Sequence, residues 1–267
     1  MADSTPNPVS GIDAYAPAEI ARRVENAGVA KAALPVLSTF VLALLAGAFI
    51  AFGAMLFTLV MTGSGLGLGP GRLLGGVAFS LGLILVVVAG AELFTGNNLI
   101  VMAWADRKIS TGALIKNWVV VFIGNVIGSF AMAVLMVLSG SLDIGGGAVA
   151  KTAVGIAEAK VALPPLQAFV RGLLCNTLVC LAVWLCFAAH SVSGKILAIV
   201  FPISAFVALG FEHSIANAYL IPVGWLIGAN IDMAGVAANM IPVTAGNVVG
   251  GSVFVALVYW LIYLRKK

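Results

Sequence analysis

From Pro35 to Met61, and again from Asn117 to Leu142, the chain carries no charged side chain. Each run exceeds the roughly 20 apolar residues that a helix needs to cross the hydrocarbon of a bilayer. That single feature removes most of fold space. A membrane β-barrel is built instead from strands of about 10 residues that alternate apolar with polar. Only 9% of the 267 residues are charged, against about 25% in soluble domains. The chain is therefore expected to be an all-α integral membrane protein.

Six spans are read from the pattern, at about 34–61, 73–104, 113–138, 165–189, 195–223 and 242–264. The basic residues do not form a patch, so the net charge of +4 points to topology and not to nucleic acid. With the N-terminus inside, ten Lys and Arg fall on the cytoplasmic side and four (Arg72, Lys151, Lys160, Arg171) on the outer side. The positive-inside rule then places both termini in the cytoplasm. Residues 1–14, rich in Pro, Ser and Asn, are expected to be mobile and hold no apolar signal segment. Pro17 opens a short amphipathic helix, with Gly28 as its stop. The expected organisation is an N-terminal cytoplasmic segment (1–33), a three-span repeat (34–142), a Gly-rich outer loop (143–164), and a second three-span repeat with a short tail (165–267).

The repeat is visible in the residues. Gly90-Ala-Glu-Leu-Phe-Thr-Gly-Asn97 aligns with Gly210-Phe-Glu-His-Ser-Ile-Ala-Asn217 at an offset of 120. Gly124-Asn-Val-Ile-Gly128 aligns with Gly246-Asn-Val-Val-Gly250 at 122, and Phe40-Val41 with Phe169-Val170 at 129. Three spans per copy is an odd number, so the copies must be inverted, the plan of many transporters and channels. Span two is too long and too polar in its middle for one plain helix. It is expected to break at Glu92–Asn98, and span five at the equivalent place. Non-helical backbone at that depth is tolerated only where it is buried in protein or lines a cavity.

Ionisable groups at membrane depth are functional candidates by default, and His213 is the foremost. It either locks a loop or works as a proton-active pore group. Its repeat counterpart is Leu93, so the scaffold does not need an imidazole there. Glu92 and Glu212 are kept by both copies, which favours a structural role in which they accept bonds from loose N–H groups at the break. Asn97, Asn217, Asn125 and Asn247 read the same way. Asn176, opposite Gly47 in the repeat, is a candidate to hydrogen-bond His213, and Thr95 offers a hydroxyl. Phe79, Leu83, Leu93, Phe94 and Phe206 are either core or apolar constrictions that exclude hydrated ions. Lys160 and Arg171 are either solvated charges or anion attractors. Cys175, Cys180 and Cys186 share one predicted helix and fit no metal spacing. No nucleotide loop, metal cluster or nucleophile–base pair is present, so no cofactor, no metal and no enzymatic activity is expected.

Gly90–Gly96, Cys175-Asn-Thr-Leu-Val-Cys-Leu-Ala182, Gly210–Asn217 and Ile241-Pro-Val-Thr-Ala-Gly-Asn247 together resemble the formate/nitrite transporter family, and its formate-channel branch in particular. The resemblance runs from about Pro17 to Arg265; Thr177 and the Gly-rich outer loop depart from it. It implies an aquaporin-like protomer with broken second and fifth helices, assembled as a homopentamer in the inner membrane with one pore per protomer. It implies His213 as the central pore histidine with Asn176 beside it. Leu93, Phe94, Thr95 and Val179 would form a cytoplasmic constriction, and Phe79, Leu83 and Phe206 a periplasmic one. Lys160 and Asn247 match polar vestibule and pore positions, and the N-terminal helix a gate. The implied cargo is formate and similar small monovalent anions, passed in either direction and often with a proton. Nitrite or hydrosulfide on the same scaffold, or a neutral solute, are the alternatives.

Overall fold

A computed structural model describes residues 14–265; residues 1–13, Lys266 and Lys267 lie outside the described part, and with them nearly all of the segment expected to be mobile. The regular structure of the described residues is entirely helical. Helix α1 (Pro17–Ala33) is followed by α2 (Val36–Met61) and α3 (Leu68–Ile84), which continues as a π-helical turn over Leu85–Gly90. After a break, a 3-10 turn (Gly96–Ile100) leads into α4 (Val101–Ala105), and α5 (Thr111–Leu138) crosses back. The second series is α6 (Ala148–Val161), α7 (Pro165–Ala188), α8 (Val192–Ala208), α9 (Ser214–Leu226) and α10 (Met233–Val249). A π-helical stretch, Gly250–Leu257, joins α10 to α11 (Val258–Tyr263). Five of these stretches are long and apolar enough to cross a membrane, and α8 and α9 are shorter apolar helices. They divide span five between them.

Four details differ from the sequence reading. Span two starts at Leu68 and span six at Met233, because Pro70 and Pro242 are absorbed within helices instead of opening them. The stretch 143–164 is mostly helix. Its glycines end the loop early: Gly145, Gly146 and Gly147 all have positive φ (68°, 66° and 86°), a region glycine enters without penalty. Beyond them Val149, Ala153 and Ala157 recur every four residues and bury one face of α6. Gly28 does not stop α1. It sits in mid-helix, where an added Cβ would lie 3.3 Å from Ile100 Cα, so the close approach to the second half of span two outweighs glycine's helix cost of about 1 kcal/mol.

Lipid tails give helices no hydrophobic reason to associate, so membrane interfaces use small residues that let backbones approach. Here the two copies use them in the same register. On α5, a Cβ at Gly124 would meet Ala43 and the Phe40 carbonyl of α2, and one at Gly128 would overlap the Leu44 carbonyl. On α10 and its extension, Gly246 and Gly250 stand equally hard against the Phe169 and Leu173 carbonyls of α7. Those pairings preserve the offsets of 122 and 129 in the sequence. They bring the two breaks into the middle of the bundle.

Candidate functional site

Each break begins with a glycine in the left-handed region, Gly90 (φ 87°) and Gly210 (φ 72°), the residue type that closes a helix C-terminus with least strain. The residues that follow, Ala91–Thr95 in one half and Phe211–His213 in the other, leave the helical ladder inside the protein, and their backbone groups need partners. One asparagine per half supplies them. Asn125 Oδ1 accepts from Phe94 N–H at 2.8 Å, while its Nδ2 donates to the carbonyls of Ala43 (2.7 Å) and Glu92 (2.9 Å). Asn247 repeats this with Ser214 N–H (2.9 Å) and the carbonyls of Gly172 (2.8 Å) and Glu212 (3.0 Å). Both asparagines are fully buried.

The carboxylates do something else. The sequence assigns Glu92 and Glu212 to backbone N–H groups of the break, but those are taken by the asparagines and by backbone carbonyls, those of Leu42 and Arg171 among them. Glu92 instead accepts from Asn97 Nδ2 (2.6 Å) and from Lys31 Nζ, and Glu212 from Asn217 Nδ2 (2.6 Å) and Lys160 Nζ (2.9 and 3.1 Å). A further asparagine ties each cluster down: Asn117 bridges Asn97 to the Lys31 carbonyl, and Asn239 bridges Asn217 to the Lys160 carbonyl. Lys160 is therefore neither a free solvated charge nor a lone attractor; its side chain is 14% exposed and ion-paired. Burying a carboxylate costs several kcal/mol unless its charge is met. Each half meets it with one lysine and one asparagine, and Glu212 has Asn239 Nδ2 at 3.5 Å besides.

His213 lies at the N-cap of α9. Its Nδ1 accepts from Ala216 N–H at 3.1 Å, which leaves the ring proton on Nε2, 2.9 Å from Thr95 Oγ1. The Thr95 hydroxyl reaches it from the other break. Asn176, expected beside the imidazole, does not bond it. Its Nδ2 donates instead to the carbonyls of Thr95 (3.2 Å) and Asn247 (2.7 Å) and to Asn98 Oδ1 (2.8 Å), so it holds the loop that carries Thr95. The ring of Phe206 stacks on His213 at 6.0 Å and meets Phe79 edge-on at 5.6 Å.

Three cavities line up through this centre. One, of about 210 Å³ on the α6 side, is lined by Lys160, Arg171, Arg72, Glu212 and His213, with Phe79 and Phe206 at its floor. The second, of about 380 Å³ on the α1 side, is lined by Lys31, Glu92, Asn97, Leu83, Leu93 and Val183. Between them is a chamber of only about 10 Å³. Its walls are Ile50, Phe79, Leu83 and Leu93 on one copy, and Val179, Ile203, Phe206 and His213 on the other. His213 is the one polar side chain among them.

The structure thus brings together His213, Thr95, Leu93, Val179, Phe79, Leu83 and Phe206. Leu83, expected in the outer constriction, lines the central chamber and the α1-side cavity but not the α6-side one. Phe94 lines none of the three cavities; its ring packs edge-on against Phe122 (5.0 Å) and Trp118 (6.3 Å). Sequence reasoning missed Lys31, Asn117, Asn239, Ile50 and Ile203. The offsets would have found four of them, because Lys31 precedes Lys160 by 129, Ile50 precedes Val179 by 129 and Asn117 precedes Asn239 by 122.

A family profile described as formate/nitrite transporter matches residues 18–261. The chain is 41% identical to the formate channel FocA of Escherichia coli (strain K12), over 96% of each chain. It is 43% identical to a probable formate transporter of Methanothermobacter thermautotrophicus, over 94% of this chain and 97% of that one. Among solved structures it resembles a pentameric formate channel with formate bound, with a TM-score of 0.80 and 41% identity over 86% of this chain and 98% of the other.

Proposed function

The chain belongs to the formate/nitrite transporter family, and from that premise we propose that it passes formate, and similar small monovalent anions, in both directions through each protomer of a homopentamer. The charge bias of its loops supports an inner-membrane orientation with both termini in the cytoplasm. The single observation that carries the functional reading is the chamber: eight side chains, one of them polar, between two lysine-bearing vestibules.

An anion can enter either vestibule against lysine, and on the α6 side also against Arg72 and Arg171. It cannot cross the apolar chamber bare, because an unpaired charge in low dielectric costs far more than passage allows. The neutral acid crosses cheaply. In this reading the anion displaces Thr95 from Nε2–H of His213 and takes a hydrogen bond there. A second proton, taken from the entry vestibule onto Nδ1 in place of the Ala216 N–H bond, makes the imidazolium. Its Nε2 proton passes to formate, formic acid crosses and releases it on the far side, and the remaining proton returns from Nδ1 to Nε2 before the next turn. Histidine suits this transfer because its two ring nitrogens let it take a proton on one side and give one from the other. Leu93, Leu83, Phe79, Phe206 and Val179 are the apolar seal on either side of the transfer.

The test is flux into proteoliposomes with formate, nitrite and hydrosulfide in competition across a pH series. We expect formate to dominate and its uptake to increase as external pH falls. Dominance of nitrite or hydrosulfide would overturn the substrate, and flux of neutral solutes unaffected by an acid's pKa would overturn anion passage altogether.

A further inference from the structure

The central chamber has room for about one water as it stands, too little for a carboxylate, so some of its walls must yield in passage. Leu83, Leu93, Phe79 and Phe206 can yield, since unbranched Cβ atoms leave their side chains free to change rotamer. Ile50 and Ile203 cannot do so easily: a β-branched side chain on a helix is held in one strongly preferred χ1 rotamer. Their backbones cannot retreat either. On the Ile50 side, α2 and α3 are pressed together by two glycines: a Cβ at Gly53 would sit 2.5 Å from the Phe79 carbonyl, and one at Gly82 would sit 3.1 Å from Ile50 Cα and 3.4 Å from its Cδ1. On the Ile203 side, Gly76 of α3 abuts the next residue of α8, with a Cβ there 2.6 Å from the Ser204 carbonyl. Both isoleucines are at most 2% exposed. Helix α3 is the common backstop for both.

We propose that Ile50 and Ile203 are the size gauge of the pore, the residues that set the largest carboxylic acid it admits, while the leucines and phenylalanines only open and close it. The proposal rests on the reading that an acid crosses this chamber. The internal repeat shows where the gauge has slack. Ile50 corresponds to Val179 at an offset of 129, so a valine is already tolerated at the equivalent wall. Shortening Ile50 to valine gives the two copies the same side chain there and lengthens the chamber by one methylene. One methylene in a closely fitting apolar site is worth about 10-fold to 200-fold in discrimination.

The experiment compares the wild type with Ile50→Val, Ile203→Val and the double variant in proteoliposomes. Flux of acetate and propionate is read as a ratio to whichever smallest anion the wild type passes fastest. We expect the acetate ratio to rise about tenfold in the double variant, less in either single variant, with the variant eluting at the wild-type size. An unchanged ratio overturns the gauge, and so does a correctly assembled double variant that passes no anion, because a widened chamber should not close. Should the double variant fail to assemble, the two single variants answer the same question. A wild type that passes nitrite and not formate sinks the substrate reading and leaves the gauge to be judged on its own ratio.

Discussion

Lys31 and Lys160, 129 residues apart, occupy the same place in the two copies: each Nζ donates to the buried carboxylate of its own break, Glu92 or Glu212. One comes from α1 and the other from α6, so these two helices, outside the spans proper, are counterparts. Each brings its break a counter-charge. The vestibules at the two ends are therefore built alike, and they differ chiefly in Arg171, whose counterpart is Leu42, and in Arg72, whose donors go to the carbonyls of Ala208 (2.6 Å) and Val207 (3.2 Å).

Removing Lys160 should leave Glu212 as an uncompensated charge held by asparagines. We predict that Lys160→Ala lowers stability by about 3 kcal/mol, the lower end for breaking a buried pair. Lys31→Ala should cost less, since that side chain is 32% exposed and water can reach the carboxylate it leaves. The double variant Lys160→Ala/Glu212→Gln should recover most of the loss. Thermal unfolding in detergent checks all three, and a Lys160→Ala protein as stable as wild type refutes the counter-charge role.

On the α1 face lies a third buried carboxylate. Burial pushes the Glu25 carboxyl above the ordinary carboxylate range; the Lys108 bond lowers it and neighbouring Asp106 raises it again. Lys108 is raised in turn, chiefly by that bond. A carboxyl whose folded pKa is raised binds its proton more tightly when folded, so its contribution to stability improves as pH falls. Lys108→Ala should therefore destabilise most near pH 8 and progressively less toward pH 5, as Glu25 protonates. Glu25→Gln should flatten that dependence. Melting temperatures between pH 5 and 8 decide it, and a Lys108→Ala deficit that grows on acidification contradicts the assignment.

Asn125 and Asn247 make the same three bonds, so their alanine variants should lose similar stability, about 3 kcal/mol at roughly 1 kcal/mol per bond. Function should separate them. Asn247 Oδ1 holds the amide of Ser214, the residue after His213, whereas Asn125 holds that of Phe94. We predict that Asn247→Ala alters the pH profile of flux and that Asn125→Ala lowers flux without altering it. Equal pH profiles would argue that the imidazole's position does not depend on its clamp.

Most of the fold was legible because its signals are long: charge-free runs, an odd number of spans between repeated motifs, and glycines at constant offsets. His213 and Thr95 were legible because a polar residue stands out against hydrocarbon; Phe79, Leu83, Leu93, Val179 and Phe206 were legible through the family resemblance, and the equally apolar Ile50 and Ile203 were not. The partners were not. Lys31 reads as one more cytoplasmic cation until the chain folds α1 under the bundle, and Asn176 reads as a neighbour of His213 because both are polar and central. In three dimensions Asn176 acts one residue removed, on the Thr95 carbonyl. The Gly-rich start of 143–164 hid a helix whose Ala and Val spacing was present but short. Local composition described the turn and masked what followed it.

The polar contact at the centre is one that the repeat does not duplicate. His213 corresponds to Leu93 and Thr95 to Ile215, so the imidazole–hydroxyl bond has an apolar pair as its counterpart. Among the chamber walls nothing else polar is within the imidazole's company, and in the proposed mechanism Thr95 is its partner between turnovers. Thr95→Val keeps the shape and deletes the hydroxyl. An unpaired buried donor costs about 1–3 kcal/mol, which falls on the empty channel and is relieved when an anion binds. We predict that Thr95→Val makes the pore hold its anion more tightly and release it more slowly, so that maximal flux falls and half-saturation shifts to lower concentration. Thr95→Ser, which restores the hydroxyl, should return both toward wild type. His213→Asn should instead remove the rise of uptake with falling external pH, because an amide cannot carry the proton. Concentration and pH series in proteoliposomes separate the two roles. If Thr95→Val changes neither parameter, the hydroxyl is packing alone, and if His213→Asn keeps the wild-type pH response, the proton travels by another route.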